Sequence, residues 1–147
     1  MTKDFEELFA CLTRHGVRAL IVGAHAVAFH AKPRYTKDID ILVEPSQENA
    51  DALIQALEKF GFENIGLESA DFTEPGKIIQ LGFPPKRIDL ITSIPGVSFA
   101  QAWEGRVSGR YGEQQVFYLG KAELIEAKQA AGRPQDLADL SWLKKSD

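Results

Sequence analysis

Cysteine is almost missing from this chain: of 147 residues only Cys11 carries a thiol. No intrachain disulfide can form, and no cysteine-based zinc cluster either. That chemistry fits a reducing cytoplasm. An excess of positive charge is missing too. The 21 acidic residues outnumber the 17 basic ones, giving a formal net charge of −4. A protein whose main work is to coat nucleic acid carries a basic surface, so this class is disfavoured, although local basic patches stay compatible with the balance. Long hydrophobic runs are absent as well. Stretches such as Ala19 to Gly23 are far too short to span a bilayer, so no membrane partner is expected. Met1 to Glu7 has neither the basic start nor the apolar run of a signal peptide. Internal repeats, linkers and low-complexity segments are also lacking.

What is present suits one globular domain over residues 1–147, with 44% apolar residues to fill a core. Phe5, Leu8, Phe9 and Leu12 recur at helical spacing, and Gly16 follows as a stop. Val17 to Val22 reads as a buried strand ended by Gly23, and Ala24 to Phe29 as a short helix. Pro33 breaks that helix and opens a basic loop, Lys32 to Lys37. Asp38 to Val43 is the clearest strand. Ala50, Leu53, Ile54, Leu57 and Phe60 mark the next helix, stopped by Gly61. A short strand is expected over Phe62 to Ile65, and a loop over Leu67 to Gly76. Lys77 to Phe83 and Lys86 to Thr92 flank Pro84-Pro85 as a hairpin. Ser98 to Glu104 reads as a short helix. Val107 to Tyr111 and Gln114 to Leu119 flank Gly112-Glu113 as a second hairpin. Two helices close the chain, Lys121 to Ala131 and Pro134 to Leu143, with proline suited to the first turn of the second. Trp103 and Trp142, with Phe99 and Leu143, are expected in the core rather than as a stacking platform. The predicted class is α+β: a mixed β-sheet with helices packed mainly on one face.

Two strands carry acids. Asp38 and Asp40 sit two apart, so both point to one face with Cα atoms about 7 Å apart, while Ile39 and Ile41 point to the other. Like charges on one face repel unless a cation lies between them. Mg²⁺ accepts such oxygen ligands and commonly shares them with substrate phosphates. An exposed edge strand would also alternate acids with isoleucines. Asp89, in Arg87-Ile88-Asp89-Leu90-Ile91, favours the metal reading. A strand lying about 4.8 Å from the first could bring it to the pair and create a two-metal carboxylate set. Asp89 paired with a surface cation is the plainer alternative. Gly23, between a strand and a helix, could let a phosphate approach backbone N–H groups, or simply make a turn.

Val22-Gly23-Ala24, Arg34-Tyr35-Thr36-Lys37-Asp38-Ile39-Asp40-Ile41 and Arg87-Ile88-Asp89-Leu90 together resemble the DNA polymerase beta-like nucleotidyltransferase superfamily. More narrowly, the chain resembles its small bacterial members, which include abortive-infection and toxin–antitoxin proteins. Lys128 and Gly132-Arg133-Pro134-Gln135-Asp136 match their late Lys and Gly-Arg-Pro-x-Asp segment. The likeness runs from Gly16 to Leu143. One departure stands out: Gly23-Ala24 replaces Gly-Gly or Gly-Ser, so no hydroxyl is offered to a phosphate there.

The resemblance implies a nucleotidyltransferase fold with C-terminal helices. It implies that Asp38, Asp40 and Asp89 are catalytic and bind Mg²⁺ (or Mn²⁺). Gly23, Ala24, Arg34, Thr36, Lys37, Lys128 and Arg133 would then receive the nucleotide. Lys and Arg are also routinely just solvated, and Arg133 with Asp136 could simply join the last two helices. The reaction implied is transfer of a nucleoside monophosphate from an NTP to a hydroxyl of RNA, a protein or a small molecule, with a toxin–antitoxin partner protein in view. A weak or inactive binding module on the same fold, serving as antitoxin or regulator, is the alternative that the Gly23-Ala24 departure favours. A metal-dependent phosphoesterase is a third.

Overall fold

Phe5, Leu8, Phe9 and Leu12 are all buried, as their spacing requires, on one stripe of helix α1 (Lys3–Arg14). The computed structural model describes residues 3–31, 38–62, 65–82 and 87–145. After α1 the chain turns at Gly16 into strand β1 (Ala19–Val22) and passes directly into helix α2 (Gly23–His30). Strand β2 (Ile39–Val43) leads to helix α3 (Gln47–Phe60). The Ser46 hydroxyl caps α3 by accepting from Asn49 N, and Gly61 ends it at φ 125°.

The expected strand at Phe62 does not form. Phe62 N instead donates to Leu57 O at 2.8 Å, which closes the helix end, and the Phe62 ring packs on Phe60. Ile65 is likewise outside any strand, while residues 63–64 lie outside the described residues. The expected loop over Leu67 to Gly76 contains a 3-10 turn at Ser69–Phe72. Glu68 and Asp71 cap each other's backbone there, and Phe72 is fully buried as its anchor. A polar composition concealed this turn because one aromatic ring holds it.

Strands β3 (Ile78–Leu81) and β4 (Ile88–Ile91) form the first antiparallel pair. Helix α4 (Phe99–Glu104) starts at a Ser98–Gln101 capping box. Strands β5 (Val107–Tyr111) and β6 (Gln114–Tyr118) pair as the second hairpin, in full register. Helices α5 (Lys121–Ala131) and α6 (Pro134–Lys145) follow, broken by Gly132 in the left-handed conformation.

The six strands make one mixed sheet in the order β3-β4-β2-β1-β6-β5. β1 and β2 are antiparallel, whereas β2 with β4 and β1 with β6 are parallel. With six α-helices beside this sheet among the described residues, the chain is α+β, as the mixed strands and hairpins predict. Consecutive residues Leu20, Ile21 and Val22 are all buried, as are Ile41, Leu42 and Val43. Side chains alternate along a strand, so the middle of the sheet is shielded on both faces. A rigid centre of this kind fixes the side chains that interrupt its apolar pattern.

Trp103 stays in an aromatic cluster with Phe99 and Phe117, and the Arg106 guanidinium covers it at 4.0 Å. Trp142, expected inside, is 45% exposed on α6. Leu140 and Leu143 supply the buried side of that helix, which leaves Trp142 turned outward. No helix among the described residues is long and apolar enough to cross a membrane.

Candidate active site

The pairing register aligns Val22 with Asp40, Asp40 with Asp89, and Asp89 with Gln80. Register partners share a face, so these residues form one row across four strands. Asp40 and Asp89 are thus direct neighbours on parallel strands, about 4.8 Å apart in backbone spacing. Asp38 precedes β2 and lies two residues from Asp40. Ile39 N donates to Arg87 O at 3.1 Å, which extends the β2–β4 pairing to the level of Asp38 and Arg87.

Arg87 stands among the acids. Its Nη2 lies 2.9 Å from Asp38 Oδ2 and its Nε 3.2 Å from Asp89 Oδ1. Nη2 also donates to Asp89 Oδ2 at 3.3 Å. The Nε approach is an ion pair without hydrogen-bond alignment, so buried Asp89 Oδ1 accepts no hydrogen bond among the described residues. Asp40 is raised to a pKa of about 6, first by burial and then by the neighbouring Asp89 and Asp38 charges; Arg87 pulls the other way.

Gly23 sits against Asp40. It adopts φ 67°, and a Cβ there would run into the Asp40 carboxylate. Only glycine combines this backbone conformation with so close an approach. Ala24 follows in the first turn of α2, whose N-cap residue, Val22, offers no side-chain hydrogen bond.

Helices α5 and α6 fold over the same end of the sheet. Lys128, with a side chain only 11% exposed, lies 3.2 Å from Asp136 Oδ1 and 3.1 Å from Asp139 Oδ2. Arg133 binds Asp136 from the other side: Nε donates at 2.6 Å, Nη2 at 3.1 Å and the backbone N at 3.1 Å. The fully buried Asp136 therefore caps the start of α6 and ties it to α5. Lys128 and Arg133 hold Asp136 well below the usual carboxylate range.

These cations do more than join helices. A cleft of about 430 Å³ is lined by Gly23, Asp40, Lys128 and Arg133, with Ile78, Ile91 and Leu119 among its apolar walls. That size suits a small organic ligand. The Arg133 side chain is 73% exposed at the rim.

The sequence-derived set therefore divides. Asp38, Asp40 and Asp89 come together on the sheet. Gly23, Lys128 and Arg133 share a cleft with Asp40. Arg34, Thr36 and Lys37 lie outside the described residues. His25, two residues after Gly23, is half-buried with its ring 5.7 Å from Tyr111, and burial lowers its pKa.

Sequence reasoning overlooked Arg87. Its signal was its position two residues before Asp89, on the same face of the strand. Asp139 was also overlooked. It stands three residues after Asp136, one helical turn on, where both can reach Lys128.

Hard oxygen donors and a surplus of negative charge suit a divalent metal. The elevated Asp40 pKa marks a carboxylate short of positive charge. Arg87 is already inserted, and among the described residues no three His, Cys, Asp or Glu side chains form a ready metal-holding group. The fit is thus to a cation that arrives with its own ligands, as Mg²⁺ does with a triphosphate.

Asp136→Ala should destabilise the protein by about 1–3 kcal/mol, because it takes the shared acceptor from Arg133 and leaves the buried Lys128 ammonium with Asp139 alone. The pH profile has a defined sign. Asp136 has a depressed pKa in the folded state, so its contribution is present above about pH 4 and fades as the pH falls further. Thermal melts between about pH 2 and about pH 7 should therefore show a smaller acid loss in Asp136→Ala than in the parent.

No protein-family profile matches the chain, and no curated protein does. Among solved structures, it is similar to a candidate nucleotidyltransferase from Thermotoga maritima, TM1012. The TM-score is 0.63 at 14% identity, over 96% of this chain and 91% of that one. It is also similar to the lincosamide antibiotic adenylyltransferase LnuA in its lincomycin-bound form. There the TM-score is 0.56 at 15% identity, over 99% of this chain and 97% of that one. At these identities the likeness is one of fold, and it extends over nearly the whole of each chain.

Proposed function

We propose that this protein is a nucleotidyltransferase that moves a nucleoside monophosphate from an NTP to a hydroxyl group. The observation that carries this reading is the row that sets Asp40 beside Asp89 and against Gly23, opening into a cleft shared with Lys128 and Arg133. The nucleotidyltransferases that share the fold lend it support.

Asp38 and Asp40 would hold Mg²⁺ or Mn²⁺, with Asp89 completing the acidic set. When bound, the ion would supply positive charge to the triphosphate and the leaving pyrophosphate. Gly23 keeps the wall beside Asp40 thin enough for a phosphate to approach. The N–H groups of Gly23 and Ala24 open α2, where the helix dipole favours an anion. Ala24 lacks a hydroxyl, so only its backbone can contribute. Lys128 and Arg133 meet further phosphate charge from across the cleft. Asp89 takes the proton from the attacking hydroxyl, whose oxygen bonds to the α-phosphorus as pyrophosphate departs in line. Arg34, Thr36 and Lys37 are the remaining sequence-derived candidates for binding the nucleotide. A cytoplasmic setting agrees with the single buried thiol of Cys11.

The test is incubation of the purified protein with each α-labelled NTP and Mg²⁺. Total RNA, total protein and small-molecule hydroxyl acceptors are supplied in separate arms. Label transfer with release of pyrophosphate is the expected result, and the labelled arm identifies the acceptor class. Release of phosphate without transfer would point to a phosphoesterase. Failure to label or hydrolyse with every NTP would favour the binding module, a reading helped by an Arg87 that already pairs with two of the acids. A co-purifying protein that alters transfer would support a toxin–antitoxin pairing.

Binding has its own readout. Mg²⁺ with the correct NTP should raise the melting temperature, because a ligand selective for the folded state stabilises it. An unchanged melting temperature at saturating nucleotide would count against the site.

A further inference from the structure

We infer that Arg87 is a built-in counter-cation that limits the acidic cluster to a single divalent ion. The inference rests on the proposed function in one respect: it takes these carboxylates to hold a metal.

Arg87 and Asp89 alternate along the start of β4, just as Asp38 and Asp40 alternate along the start of β2. All four side chains therefore project from one face. The guanidinium reaches in both directions, with Asp38 Oδ2 at 2.9 Å and Asp89 Oδ1 at 3.2 Å. A cation shared between Asp38 and Asp89 would have to occupy the space the guanidinium fills. An arginine suits this task because its planar fork can engage two carboxylates together, which a lysine's point charge does less well.

Charge leads to the same result. Among the described side chains of this face, Asp38, Asp40 and Asp89 against Arg87 leave a net charge of −2, which one divalent ion neutralises. A second ion would bring an excess of positive charge beside a fixed guanidinium, where repulsion is strong. The surplus negative charge falls on Asp40. This carboxylate forms no ion pair among the described residues, and it lines the cleft. The single ion therefore belongs on the Asp38–Asp40 side. Arg87 keeps Asp38 and Asp89 compensated whether or not that ion is present.

Counting bound Mn²⁺ tests this directly. The full-length protein is stripped of metal and equilibrated with Mn²⁺ and a saturating non-hydrolysable NTP analogue, and the ions and nucleotide retained per protein are counted by equilibrium dialysis. The parent should bind one Mn²⁺. Arg87→Gln, which removes the charge at similar length, should take up a second. A parent that binds two ions, or an Arg87→Gln protein that stays at one, overturns the inference while leaving the proposed transferase intact. A parent that binds no Mn²⁺ overturns the metal site in the proposed function and this inference with it. Should Arg87→Gln fail to fold, judged by circular dichroism, Asp89→Asn carries the test. It should retain the single Mn²⁺ with an affinity within about tenfold of the parent, since a carboxylate next to the ion contributes mainly through space. Loss of that ion in Asp89→Asn would mean that Asp89 ligates it where Arg87 stands, which also overturns the inference.

Discussion

Asp40→Asn should give a protein that melts at a higher temperature than the parent and transfers nucleotide at least about a hundredfold more slowly. Both halves follow from one residue. Asp40 is half-buried beside two other acids, and its pKa rises to about 6 in the folded protein. An ordinary Asp in the unfolded chain titrates near 3.9. Between these values the folded state binds more protons than the unfolded state, so stability falls as the pH rises through this window. Above about pH 6 the full penalty applies. Allowing for solvent screening, the neutral amide should recover about 1 kcal/mol. Melts in chelator at about pH 4 and about pH 8 check the sign, since the gain should appear mainly at the higher pH. The same substitution removes an anionic oxygen from the proposed metal site, so the stabilised variant should lose its nucleotide-dependent shift. Asp40→Asn that is less stable at high pH would show that the like-charge row is not strained.

Gly23→Ala should be more damaging than its size suggests, and Gly16→Ala supplies the control. Both glycines adopt φ 67°. At Gly16 nothing lies within 4 Å of an added Cβ, whereas at Gly23 the Asp40 carboxylate stands in its way. Gly16→Ala should therefore lose about 1–2 kcal/mol from backbone strain alone. Gly23→Ala should lose that amount and more, and transfer activity should fall steeply because the Asp40 carboxylate is forced out of the row. A double-mutant cycle isolates the collision. In an Asp40→Ala background the loss at Gly23 should shrink towards the Gly16 value, because the obstructing carboxylate is gone. Equal stability losses at the two glycines in the parent background would remove the steric role of Gly23.

The elements with regular signals were legible in the sequence. The stripe from Phe5 to Leu12, the Gly112-Glu113 hairpin and the Gly132-Arg133-Pro134 break all produced the predicted elements. So did the sheet that carries the acids, because isoleucines alternating with aspartates fix which face each side chain takes. What escaped depended on contacts between distant residues. The 3-10 turn at Ser69–Phe72 rests on one buried ring within a polar segment. Phe62 lost its strand to the closing of α3. Trp142 faces outward because neighbouring leucines already fill the inner side of its helix. Arg87 escaped because a cation next to an acid reads as surface charge until the pairing of β2 with β4 sets a second acid opposite it. The link between Arg133 and Asp136 was legible in the sequence, but the burial of Asp136 and its pairing with Lys128 emerge only when α5 and α6 are packed.

The strand order also bears on how the chain acquires its site during folding. The pairs β3/β4 and β5/β6 join neighbouring segments, so they close short loops and can form early. The β2/β4 pairing joins segments separated by a helix, a 3-10 turn and another strand, and it must await that longer closure. Asp40 meets Asp89 only at this step, and Arg87 meets Asp38 at the same moment. The mutual repulsion of the acids and the cation that relieves it therefore enter the folding chain together. A nascent chain that has emerged only as far as β3 carries the first two acids without their arginine, and its apolar β2 edge still lacks its final neighbour.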